Sequence, residues 1–183
     1  MQTTTKDIIK KICLLGDPAV GKTSLIRRFV FDMFDDKYIT TIGTKVTKKT
    51  VEVDREVPTG NMHVKITLLI WDILGQREYA RLHPVYYQGA EGALIVCDGT
   101  RDETVRNLPT WTTSFLKVVG QVPVIYLINK VDLIDMKTFS SADIEAISET
   151  YKAPFYFTSA RNGDNVGEAF QEIGKLLAAR IKV

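Results

Sequence analysis

The chain has 183 residues, of which 25% are charged and 45% apolar, and its net charge is +2. That length suits one domain with a sizeable core, and the near-balance of charge gives no mandate for binding nucleic acid or a membrane surface. No apolar run is long enough to span a bilayer, and Met1 to Lys6 form neither a signal-peptide core nor an acylation site.

In chain order, Ile8-Ile9 and Ile12-Cys13-Leu14-Leu15 predict a buried strand over 7–15. It runs into Gly16-Asp17-Pro18-Ala19-Val20-Gly21-Lys22-Thr23, a match to the phosphate-binding pattern G-x-x-x-x-G-K-[ST]. Glycines there let backbone N–H groups turn toward a phosphate, the following helix adds its positive dipole end, and Lys22 adds a cation. Asp17, Ala19, Val20, Gly21, Lys22, Thr23 and Ser24 are the candidate phosphate contacts, and Thr23 is placed to offer its hydroxyl to Mg2+. A helix is predicted over 22–32 from Leu25-Ile26 and Phe29-Val30. Thr41 is a second candidate for the metal and for the last phosphate, although a β-branched residue before a strand needs no such explanation by itself.

Strands follow over 43–54 and 63–71 with no helix between them. Asp54 to Met62, with Pro58 and Gly60-Asn61, reads as a hairpin loop, so this pair is antiparallel. Lys45, Lys48 and Lys49, interleaved with Val46 and Thr47, read as a solvated sheet edge. The next segment is Trp71-Asp72-Ile73-Leu74-Gly75-Gln76. Asp72 ends an apolar strand, the position of a carboxylate that holds magnesium through water, and Gly75 can bring its N–H close to a terminal phosphate. Gln76 is the candidate for orienting an attacking water. His63 and His83 have no cysteine or carboxylate cluster at ligand spacing, so neither is expected to bind metal.

Strands over 91–98, 122–129 and 154–158 complete a set of six, and the near-solid apolar ones imply a parallel sheet covered on both faces. A helix is predicted over 103–119, with Pro109 either kinking it or marking its true start and Trp111 in the core or partly exposed. Further helices are expected over 141–150 and 165–181, the last with Val166, Phe170, Ile173, Leu177 and Ile181 on one face. Cys13 and Cys97 fall inside strands, which suits free buried thiols and a reducing, cytoplasmic compartment. The architecture is a single α/β domain over 1–183: six mostly parallel strands with one antiparallel, helices on both faces, and the ligand at the carboxyl ends of the strands.

Asn129-Lys130-Val131-Asp132 follows directly on a strand. A carboxylate at Asp132 can accept two hydrogen bonds from guanine, whereas adenine would oppose it with a lone pair. Thr158-Ser159-Ala160-Arg161 closes the next strand, where the Ala160 N–H is placed to meet the guanine carbonyl.

Together these segments resemble a small GTPase of the Ras superfamily, nearest to its Rab-like members, over nearly the whole chain. Thr41-Ile42-Gly43, Trp71-Asp72 with Gly75-Gln76, and Tyr86-Tyr87-Gln88-Gly89-Ala90 are all similar to Rab-type segments. The resemblance implies a P-loop NTPase G domain that binds GTP or GDP with Mg2+ and hydrolyses GTP slowly. In it Lys22, Gly75 and Gln76 act catalytically, and Thr23, Thr41 and Asp72 hold the metal. Phe34 would pack edge-on to guanine, Tyr38 would cover the phosphates, Lys130 would lie over the base, and Ser159 to Arg161 would close it in. Effectors, exchange factors and activating proteins would read segments 35–45 and 72–88.

Two other readings share part of this pattern: a GTP-binding interaction module with little hydrolysis, and a P-loop kinase, which has no use for Asn129-Lys130-x-Asp132. The chain also departs from the family at Pro18, at Ile73-Leu74, at Arg77 and Arg161, and in a long hairpin loop over 54–62. It has no cysteine near its C-terminus to prenylate, so no intrinsic membrane anchor is expected.

Overall fold

The computed structural model describes residues 3–35, 43–58, 60–75 and 81–182. Six strands form one sheet: β1 (Thr3–Leu15), β2 (Lys45–Val57), β3 (Gly60–Asp72), β4 (Gly92–Asp98), β5 (Val124–Asn129) and β6 (Phe155–Phe157). Their order is β2-β3-β1-β4-β5-β6. Every neighbouring pair is parallel except β2 with β3, as the absence of a helix between those two requires.

The helices are α1 (Lys22–Phe31), α2 (His83–Tyr87), α3 (Asp102–Arg106), α4 (Leu108–Val119), α5 (Ala142–Tyr151) and α6 (Val166–Ala179). Side chains alternate along β1, so Ile12 and Leu14 join a core under α1 and α6, while Cys13 and Leu15 join a second core under α2 to α5. β4 and β5 are buried along their whole length, the pattern expected of strands covered on both faces. On the first face Phe29 and Phe170 stack with ring centroids 4.0 Å apart. Both cysteines are free and buried. Lys45, Lys48 and Lys49 are exposed on the edge strand β2, a solvated face that discourages pairing with another sheet.

Three sequence expectations change. The hairpin loop over 54–62 is not a loop: Val57 pairs with Gly60, so the two strands continue almost to their connection. Gly60 and Asn61 suggested a turn, yet Met62 and Val64 extend the inward alternation of β3 and are buried. The helix over 103–119 is two helices, and Pro109 marks the start of the second, where its missing N–H breaks no intrahelical bond. The five residues of α2 form a helix that periodicity did not predict.

Candidate nucleotide-binding site

The loop after β1 reverses on backbone conformations with positive φ: 140° at Gly16, 61° at Ala19 and 101° at Gly21. Gly21 has no side chain to cap α1, which leaves the first-turn N–H groups for an outside anion. Lys22 folds back over the loop, its Nζ donating to the carbonyl oxygens of Gly16 at 2.8 Å and Asp17 at 2.9 Å. Burial pushes the Lys22 ammonium down to about pKa 8, with Asp72 and Asp17 pulling the other way and Arg101 adding to the fall.

Asp72, at the end of β3, accepts a hydrogen bond from the Thr23 hydroxyl at 2.5 Å through Oδ2. Its Oδ1 is buried with no hydrogen-bond partner. Burial raises the Asp72 carboxyl, opposed by the Thr23 hydrogen bond and by Lys22 and Lys45. A buried ammonium and a buried carboxylate are thus each pushed toward their neutral forms. A magnesium-bound polyphosphate fits both: its anionic oxygens suit Lys22, and its cation suits Thr23 and the orphaned oxygen of Asp72. Among the described residues no group of three or more His, Cys, Asp or Glu could hold a metal alone. Magnesium characteristically takes one or two carboxylates and completes its shell with phosphate and water.

Gly75 closes the cradle. A Cβ there would lie 2.5 Å from the Gly16 oxygen, 2.6 Å from the Asp17 carbonyl carbon and 2.7 Å from Lys22 Nζ. The glycine is therefore required by the phosphate loop itself. Ile73 and Leu74 are buried, with Ile73 in the core under α2 to α5, so this pair packs inward.

At the base end, Asn129 ties three loops together. Its Nδ2 donates to the Val20 carbonyl at 2.9 Å, and its Oδ1 accepts from the Ala160 N–H at 3.2 Å and the Thr158 hydroxyl at 3.3 Å. Asp132 Oδ1 accepts from the Ser159 hydroxyl at 2.6 Å. The Lys130 Nζ lies 2.6 Å from Asp98 Oδ2. Burial alone would raise the Asp98 carboxyl, but hydrogen bonds from Lys130 and Thr100 hold it below its ordinary range. Phe34 is partly buried against the core under α1 and α6.

Tyr38, Thr41, Gln76 and Arg77 lie outside the described residues. The structure also brings in residues that no motif singled out. Arg28 donates to the Ala160 carbonyl at 2.8 Å, and Asp98 anchors Lys130. The Asp17 carboxylate is turned away to the start of α4, where Asn107, just before the helix, and Trp111, within it, donate to it, so only its backbone faces Lys22. His63 sits between Asp54, at 2.6 Å, and Glu52, at 3.4 Å.

The sequence model of the Ras family matches residues 11–179. The chain is 38% identical to Ras-related protein Rab-22A of Homo sapiens, over 90% of its own length and 81% of the relative's. It is 35% identical to the GTP-binding protein ypt5 of Schizosaccharomyces pombe, over 99% and 85% of the two lengths. Against Ras-related protein SEC4 of Saccharomyces cerevisiae the identity is 33%, over 96% and 78%.

Proposed function

Because the chain belongs to the Ras family as a Rab-like small GTPase, a GTP-binding switch that hydrolyses GTP, we propose the following roles for its residues. Backbone N–H groups of Ala19 to Ser24 and the Lys22 ammonium hold the β- and γ-phosphates. Thr23, Asp72 and Thr41 hold Mg2+, which when bound neutralises charge on those phosphates. The Gly75 N–H meets the γ-phosphate, and Gln76 orients the water that attacks it in line.

Asp132 accepts from the guanine N1–H and exocyclic amine, its carboxylate oriented by Ser159. Asn129 and Lys130 flank the base, Ser159, Ala160 and Arg161 close its edge, Phe34 packs beside it, and Tyr38 covers the phosphates. Loss of the γ-phosphate releases the Thr41 and Gly75 contacts, so segments 35–45 and 72–88 change what effectors, exchange factors and activating proteins read. The exposed apolar side chains of Val46, Leu82 and Val85, beside or within those segments, support that reading. An arginine from an activating protein would speed hydrolysis by roughly 10³–10⁵-fold, as in Ras-type enzymes. The free thiols of Cys13 and Cys97, both pushed up to about 12 by burial, support a cytoplasmic setting.

One observation carries these assignments: the buried Lys22 and Asp72, each pushed toward neutrality and each facing the same cradle. Identifying the nucleotide that copurifies, with calorimetric titration of GTP and ATP, tests them. Guanine nucleotide bound with Mg2+ is the expected result, and a preference for ATP would refute the base pocket. Single-turnover hydrolysis of wild type and Gln76→Leu tests the catalytic assignment, which fails if the two rates are equal.

A further inference from the structure

The outer face of the phosphate loop is gripped by residues of α4 and of the segments flanking α3. Asn107 Nδ2 and Trp111 Nε1 donate to the two oxygens of the Asp17 carboxylate, at 2.6 and 2.8 Å. Arg101 donates to the Pro18 carbonyl at 2.9 Å. The Asp17 carbonyl in turn accepts from Lys22 Nζ. Asp17 is therefore pinned by its side chain to α4 while its backbone aims the lysine. The loop has little of its own to hold that shape, since Pro18 has no N–H and Ala19 sits at φ 61°, a conformation strained for any residue with a Cβ.

Trp111 has a second contact. Its ring packs on His83, the first residue of α2, with centroids 5.2 Å apart. His83 is buried, and the Leu74 backbone, one residue before Gly75, opposes the lowering of its imidazole by that burial. One half-buried indole thus touches both the phosphate loop and the segment that faces it.

We propose that Trp111 is a positioning residue for nucleotide retention and hydrolysis. Its N–H fixes Asp17, and through the Asp17 carbonyl the Lys22 ammonium. Its ring fixes His83, and through His83 the Leu74–Gly75 backbone. The two walls of the γ-phosphate site are held in register by a side chain that belongs to neither. This inference rests on the residue roles proposed above and extends them.

Release of fluorescent mant-GDP and single-turnover GTP hydrolysis test it in the full chain. Trp111→Phe keeps an aromatic ring beside His83 but removes the N–H together with the pyrrole part of the indole. It should speed release about tenfold, the loss of one hydrogen bond to a charged group. The same substitution made in an Asp17→Ala background should add nothing. A tryptophan that merely stabilises the fold would give the same increment in both backgrounds, and that result overturns the proposal, as does release within twofold of wild type. Asn107→Ala, a partly exposed change, should act like Trp111→Phe and be equally silent without Asp17. Trp111→Leu, which also removes the ring from His83, should further slow hydrolysis at saturating GTP; a rate equal to that of Trp111→Phe overturns the His83 limb. A wild-type chain that retains no guanine nucleotide would instead overturn the site assignment, whatever the variants do.

Discussion

The two ends of the site are built on opposite principles. At the base end the polar groups satisfy one another: Asp132 is held by Ser159, Lys130 by Asp98, and Asn129 by three partners on two loops. At the phosphate end a buried lysine is pushed down to about pKa 8 and a buried aspartate keeps one oxygen without a partner. Buried polar networks are stable when every member is paired and costly when one is not. On the roles proposed above, the base pocket is a preformed selector and the phosphate cradle an arrangement that its ligand completes. The same roles would concentrate binding energy and sensitivity to the ligand's state at the second.

The strongest way to break this contrast is Lys22→Met. Removing one partner of a buried charge pair costs roughly 2–5 kcal/mol, so GTP affinity should fall on the order of 10²–10³-fold in a titration. At the other end, Asp132→Asn should weaken GTP about 10²-fold and shift preference to xanthine nucleotide, whose 2-oxo group accepts where guanine donates. Unchanged GTP affinity in that variant would show that the base end selects nothing. Gly75→Ala drives a Cβ into the phosphate loop and Lys22, so single-turnover hydrolysis should slow about 10²-fold, the effect of an ångström-scale misplacement. GDP, which lacks the phosphate that Gly75 meets, should bind with a smaller loss.

Titration sharpens the comparison because both shifts are downward, which disfavours the charge on Lys22 and favours the charge on Asp98. Lys22 has a folded pKa of about 8 against 10.5 unfolded. Between those values Lys22 holds its proton in the unfolded chain and loses it in the folded one, so this group contributes stability to the nucleotide-free protein that grows as pH rises from 8 toward 10.5. The buried thiols of Cys13 and Cys97, raised from 9.0 to about 12, lose stability over the upper part of that range. The Lys22 contribution is therefore read as a difference: urea midpoints of wild type should rise relative to those of Lys22→Met between pH 8 and 10.5, and with nucleotide bound that relative rise should vanish. Asp98 is held below its ordinary 3.8, so its contribution is present above that value and is lost as pH falls through the folded pKa. Asp98→Asn should remove that acid loss. The smallest effect is Ala19→Gly, which relieves a left-handed conformation worth roughly 1–2 kcal/mol but adds roughly 0.5–1 kcal/mol of unfolded-chain entropy. The melting temperature should rise by about 2 °C.

Signals that live within a few residues were legible in the sequence. The phosphate loop, Asp72-to-Gly75 and Asn129-to-Asp132 are short, and each sits at a strand end that apolar runs mark clearly. Contacts between distant segments were not. Trp111 reads as an ordinary helical residue until the fold carries it 94 positions back to Asp17. Arg28 reads as a surface charge on α1 until it meets the Ala160 carbonyl. The hairpin was misread for a different reason: Pro58, Gly60 and Asn61 are strong turn formers, but register set by Val57, Met62 and Val64 carries the ladder through them. α2 is a single short turn of helix, below the length at which periodicity can be detected.

Asn129 has a consequence for how such a protein can be altered. A carboxamide presents a donor at one end and an acceptor at the other, and here each is needed: the amine for Val20, the oxygen for Thr158 and Ala160. An aspartate of the same shape would set oxygen against oxygen at Val20, and a Cβ on Gly21 would strike the amide nitrogen at 2.2 Å. On the proposed roles, purine choice and grip on the tail share one hinge pin, and a change at that position would retune both together.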